Sequence, residues 1–229
     1  MGLTTKPLSL KVNAALFDDK PYFDAEHVIQ VSHGWRTFDA IAKFTPDFAN
    51  EEYVNKLEAE IPVKYGEKSI EVPGAVKLCN ALNALPKEKW AVATSGTRDM
   101  AQKWFEHLGI RRPKYFITAN DVKQGKPHPE PYLKGRNGLG YPINEQDPSK
   151  SKVVVFEDAP AGIAAGKAAG CKIIGIATTF DLDFLKEKGC DIIVKNHESI
   201  RVGGYNAETD EVEFIFDDYL YAKDDLLKW

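Results

Sequence analysis

Four short stretches of this chain combine acids, hydroxyls and a lysine in a way that suits chemistry on an anionic group. Asp18 follows the apolar run Ala14-Ala15-Leu16-Phe17, and Thr94-Ser95-Gly96-Thr97 follows Trp90-Ala91-Val92-Ala93. The acidic pair Glu157-Asp158 follows Val153-Val154-Val155-Phe156. Between the last two, Gly125-Lys126-Pro127-His128-Pro129 holds a lysine in a proline-stiffened loop just ahead of a helical pattern. A carboxylate can act as a nucleophile or bind a hard cation. A hydroxyl and the N–H groups at a helix start can bind anionic oxygens, and a lysine can neutralise charge developing in a transition state. Each residue also has an ordinary reading: Asp18 as a loop acid, Thr97 as a helix cap, Lys126 as a solvated lysine, Glu157-Asp158 as partners of a helix dipole.

The elements that must position these groups are legible in the pattern. Near-continuous apolar runs, joined by Lys172-Ile173-Ile174-Gly175-Ile176 and Asp191-Ile192-Ile193-Val194, read as strands covered on both faces. Helical patterns alternate with them. One runs from Ala75 to Leu85 after Pro73-Gly74, and one from Arg98 to Leu108, capped by Thr97 and stopped by Gly109. A third starts near Pro160 and ends at Gly170, and a fourth runs from Asp181 to Lys188 before Gly189. The alternation predicts an α/β fold with a doubly wound parallel sheet, in which ligands bind outside the carboxyl ends of the strands. All four chemical stretches fall at those ends or beside them.

From Phe23 to Lys68 the rhythm changes to helical patterns alone, Thr37 to Phe44 and Asn50 to Tyr65. This reads as a small helical cap, residues 19–68, inserted into a core of residues 1–18 and 69–229. Within it Ser32-His33-Gly34-Trp35-Arg36-Thr37 places polar groups around a glycine. His33 and Arg36 are candidate substrate contacts there, with a plain surface loop as the alternative.

Composition narrows the partners. The 229 residues are 43% hydrophobic and 28% charged with a net charge of −4, an ordinary globular balance without a basic stripe for nucleic acid. No apolar run reaches the length of a membrane span. Cys79, Cys171 and Cys190 are far apart and read as reduced core thiols of a cytoplasmic monomer, and Trp90 and Trp104 also read as core.

The order and spacing of Gly125-Lys126-Pro127-His128-Pro129 and Phe156-Glu157-Asp158-Ala159-Pro160-Ala161-Gly162 resemble the haloacid dehalogenase superfamily of phosphatases. Within it the chain looks very like the glycerol-1-phosphate phosphatases, with 2-deoxyglucose-6-phosphate phosphatases as near relatives. The resemblance implies a Rossmann-like core and Mg²⁺-dependent hydrolysis of a small phosphorylated polyol or sugar. By the same resemblance Asp18 is the nucleophile, Lys126 neutralises charge, and Ser95, Gly96 and Thr97 bind the phosphoryl group. Asp18, Asp158 and Glu157 are then the Mg²⁺ ligands, and a cap lowered over the substrate offers His33 and Arg36. A phosphomutase on the same scaffold shares all of these groups.

The first motif departs from the family. The family pattern is Asp-x-Asp-Gly-Thr, whereas here Asp18 is followed by Asp19-Lys20-Pro21. Residues i and i+2 of an extended segment share a face and neighbours do not, so Asp19 cannot replace the second acid and Lys20 stands in its place. The run to the cap is also short, which implies that a contiguous segment is absent after Asp18, deleted in a variant chain or left out of the sequence as written. The expected consequence is turnover far below the family's, or a protein that binds phosphate and Mg²⁺ without hydrolysis.

Overall fold

A computed structural model describes residues 25–143 and 152–223. Asp18, Asp19, Lys20 and the first predicted strand, Ala14 to Phe17, lie outside the described residues.

Three helices open the described chain: α1 (Ala25–Ser32), α2 (Thr37–Phe44) and α3 (Glu51–Tyr65). Asn50 caps α3 by accepting a hydrogen bond from the Tyr53 N–H. Val28, Ile41 and Val54, one from each helix, form their small core. The predicted spans of α2 and α3 agree with the structure, α3 beginning one residue after its cap. Helix α1 was not among the predicted elements.

The rest alternates strand and helix. In order it comprises α4 (Ala75–Asn83), β1 (Ala91–Ala93), α5 (Arg98–His107), β2 (Tyr115–Ile117) and α6 (Glu130–Gly138). These are followed by β3 (Val154–Glu157), α7 (Pro160–Ala168), β4 (Lys172–Ile176), α8 (Leu182–Glu187) and β5 (Ile192–Val194). The pairs β1–β2, β3–β4 and β4–β5 are all parallel. Ile173, Ile193, Val194 and Leu185 are fully buried, as a sheet covered on both faces requires. Each such side chain contributes about 1.5–3 kcal/mol of burial. Helix α7 lies close on the sheet because its inner face is small: Ala161, Gly162, Ala165 and Gly166 are buried there around Ile163.

This is an α/β, Rossmann-like core, as the strand runs predicted. Two features correct the purely parallel picture. A hairpin of β6 (Ile200–Asn206) and β7 (Glu211–Phe216) follows β5, and β8 (Tyr221–Ala222) pairs antiparallel with β5. Strand β2 was also missed, being only three residues long. The edge strands β1 and β3 both line a cavity of about 1190 Å³, with Val92, Ala93, Val155 and Phe156 among its walls. The three cysteines form no disulfide and are buried, and burial pushes each thiol up to about 11, which suits core packing rather than reactivity. Trp90 and Trp104 are buried too. Among the described residues no helix is long and apolar enough to cross a membrane.

Candidate active site

The turn between α1 and α2 touches all three described motifs. Gly34 accepts a hydrogen bond from the Ser95 hydroxyl at 2.7 Å. His33 Nε2 stands 4.0 Å from Asp158 Oδ2, and its ring meets the edge of Phe180. Arg36 reaches the loop that leads into Lys126. The turn works only with glycine at its centre. Gly34 has φ +86°, and a Cβ there would stand 2.8 Å from the Ala159 Cβ. The ends of β1 and β3 and the lysine loop therefore converge on one place, as their position at the carboxyl edge predicts.

Lys126 and Glu157 form the buried heart of this place. Lys126 Nζ donates to Glu157 Oε1 at 2.7 Å, and both side chains are only 7% exposed. Tyr132 donates to the same oxygen at 2.6 Å, and its ring centroid lies 4.7 Å from the ammonium. Glu157 Oε2 accepts the N–H groups of Asp158 and Ala159, each at 3.0 Å. Burial opposes ionisation of Glu157, but the Lys126 charge outweighs it and holds the carboxyl below its ordinary value. Gly162 makes room for this arrangement, since a Cβ there would come within 1.9 Å of Oε1. Four donors fill the acceptor positions of Glu157. In this structure Glu157 anchors Lys126.

Asp158 is placed differently. Its Oδ2 accepts from the Thr179 hydroxyl at 2.7 Å. Burial would raise its carboxyl, but contacts with His33 and Thr179 keep it below its usual value. It is a hard oxygen donor at the motif edge, which fits one ligand of Mg²⁺. Among the described residues no group of three His, Cys, Asp or Glu side chains is arranged to hold a metal ion.

The other candidates are engaged by protein groups. Arg36 pairs through Nε and one terminal nitrogen with Asp39, at 2.7 and 2.6 Å. Its remaining N–H groups reach the carbonyls of Val122 at 2.9 Å, Lys123 at 3.1 Å and Ala119 at 3.4 Å. With its five donors used, Arg36 ties the start of α2 to the segment 119–123. The N–H of Gly96 donates to the Thr94 hydroxyl at 3.1 Å and that of Thr97 to Glu58 Oε2 at 2.6 Å. Thr97 does occupy the cap position of α5, but its side chain makes no capping bond.

Glu58, Tyr132 and Thr179 were not singled out from the sequence. Glu58 also accepts the Thr37 hydroxyl at 2.5 Å and is 5% exposed, and burial raises its carboxyl despite the bonds from Thr37 and Thr97. Its signal was available: Val54, Glu58 and Pro62 form the buried stripe of α3 at four-residue spacing. Thr179 lies just past the end of β4, where the edge rule could have found it. Nothing local marked Tyr132.

A family profile described as haloacid dehalogenase-like hydrolase matches residues 2–170. Glycerol-1-phosphate phosphohydrolase 2 of Saccharomyces cerevisiae is 91% identical over 250 positions, spanning 100% of both chains. 2-Deoxyglucose-6-phosphate phosphatase 1 of the same organism is 38% identical over 182 positions, 75% of this chain and 74% of its own. The crystal structure of a hydrolase from Pseudomonas syringae shares the fold, with a TM-score of 0.65 at 22% identity, covering 83% of this chain and 86% of that one. With its motif loops gathered at one strand edge and this profile spanning most of its length, the chain belongs to the haloacid dehalogenase-like hydrolases.

Proposed function

We propose that this enzyme hydrolyses a small phosphomonoester of a polyol or sugar, glycerol 1- or 3-phosphate first among them, through a phosphoenzyme formed on Asp18. It is a phosphoric monoester hydrolase. The observation that carries this reading is the meeting of Ser95, Lys126 and Asp158 around the turn His33–Arg36. The names of the two yeast relatives support the substrate class.

The steps follow from the chemistry of these groups. The Asp18 carboxylate attacks phosphorus, the bond from phosphorus to the alcohol oxygen breaks, and the leaving oxygen takes a proton from solvent water. Water then attacks the acyl phosphate, releasing phosphate and restoring Asp18. Lys126, held by Glu157, neutralises charge on the transferring group. Ser95 exchanges the Gly34 carbonyl for a phosphoryl oxygen. Asp18 and Asp158 would hold Mg²⁺, which when bound offsets the repulsion between carboxylate and phosphate oxygens.

The proton step is the weak one. Lys20 stands where a second acid would serve the leaving group, a role worth on the order of 10²–10⁴ in rate. The yeast relative matches over 250 positions, 21 more than the 229 residues of this chain, which supports the loss of an internal segment. The same Lys20 favours a second reading, a protein that binds phosphate and Mg²⁺ without turnover. Release of phosphate from glycerol 1-phosphate tests both. The first reading expects slow, chelator-sensitive release that disappears in Asp18→Asn. Calorimetric binding of orthophosphate with no release would favour the second, and release that persists in Asp18→Asn would refute the assigned nucleophile.

A further inference from the structure

We infer that Tyr132 is a positioning residue for Lys126, acting through the carboxylate the two share. Three observations meet here. Both donors converge on Glu157 Oε1, Tyr132 at 2.6 Å and Lys126 at 2.7 Å. The Tyr132 ring covers the ammonium at 4.7 Å, within the range of a cation–π contact. The other carboxylate oxygen is fixed by two backbone N–H groups, so Oε1 cannot turn away to suit the lysine alone.

A lysine chain has four flexible carbon–carbon torsions and carries no directional fork of its own. A buried lysine facing one carboxylate oxygen would settle wherever that ion pair is tightest. The Tyr132 hydroxyl changes this. It takes part of the Oε1 lone-pair density and anchors the ring as a lid over the ammonium. Lys126 is thereby kept in one position, with donor capacity left for an anion in the site. Burial and the Glu157 charge push the Tyr132 phenol well above its ordinary value, so the hydroxyl remains a donor at any working pH. The inference rests on the reading of Lys126 as the charge-neutralising group.

Competitive acylation of lysines, read by peptide mass spectrometry, tests it on the intact chain. Lys89 is the internal control, because its side chain is also 7% exposed and its partner is Asp210, on the hairpin. Removing the hydroxyl in Tyr132→Phe releases the lid. Labelling of Lys126 should then rise about threefold to tenfold, the equilibrium equivalent of one hydrogen bond, while Lys89 stays unchanged. Tyr132→Leu provides the same comparison if the first variant does not fold. A Lys126 rate that is unchanged or lower, or a Lys89 rate that rises in step, overturns the inference, the last because it marks general loosening. Orthophosphate added to the unsubstituted chain should protect Lys126. Failure of protection counts against the proposed phosphatase site and leaves the Tyr132 comparison intact, so the two can fail separately.

Discussion

Lys126 Nζ and Glu157 Oε1 lie 2.7 Å apart, from loop and strand positions 31 residues distant in sequence, with both side chains almost wholly buried. Such a pair is costly to halve. Glu157→Ala leaves an ammonium in a low-dielectric place with its main partner gone, and should lower stability by roughly 3–5 kcal/mol. Urea denaturation measures this. A loss below about 1 kcal/mol, the size of an exposed pair, would mean that water reaches the site freely.

Glu58 makes a prediction about pH. Its folded carboxyl is raised above its ordinary value of 4.5, with burial the largest cause. The folded state therefore holds the proton more tightly than the unfolded chain. Stability from this group is fully present below 4.5 and is lost as pH rises through the folded value. Glu58→Gln keeps an acceptor for the Thr97 N–H and a donor for Thr37, and cannot ionise. Thermal melts across this range should show a smaller alkaline decline in the variant and a higher melting temperature at pH 7. Superimposable pH profiles would rule out a buried, uncompensated carboxylate.

His197 works in the opposite direction. It is 1% exposed, and burial pushes its imidazole down to about 4, with Asp158 pulling weakly the other way. Its contribution is present above 6.5 and lost as pH falls toward 4, on the order of 3 kcal/mol in all. Replacement by leucine should flatten the acid limb of the stability profile between those values. An acid limb of the same depth in His197→Leu would assign it to other groups.

Gly34 carries the turn that meets every described motif. Its φ of +86° and the 2.8 Å approach to Ala159 leave no room for a side chain. Gly34→Ala should cost about 1–3 kcal/mol through backbone strain, before any shift of the neighbouring helix. The same variant should loosen the bond from Ser95 to the Gly34 carbonyl. Hydrogen exchange of the variant would show faster opening in residues 32–37 than in the strands; equal protection in the variant and the unsubstituted chain would mean that the turn adapts.

Much of the architecture was legible without coordinates. Apolar runs of three to five residues bounded by polar loops marked β1, β3, β4 and β5, because a sheet covered on both faces accepts little else. Asn50 and Gly109 marked helix ends through local hydrogen bonding and left-handed backbone, which are properties of single residues. The rule that ligands gather at carboxyl ends of strands was enough to select Ser95, Lys126 and Asp158. What the sequence by itself determined is therefore the family, the core fold and the strand edge at which its candidate residues gather.

Only the tertiary structure decided how those residues divide the work. Adjacent acids look equivalent in sequence, yet Glu157 turns inward to Lys126 and Tyr132 while Asp158 meets Thr179 and His33. Arg36 looked free to bind an anion until its partners at Ala119, Val122 and Lys123, more than 80 residues away, took its donors. Glu58 became a link between α3 and α5 only when α3 was laid on the start of α5. Periodicity and breakers are encoded within a few residues of one another. Which donor fills which lone pair depends on groups brought together by packing, and no local pattern records that choice.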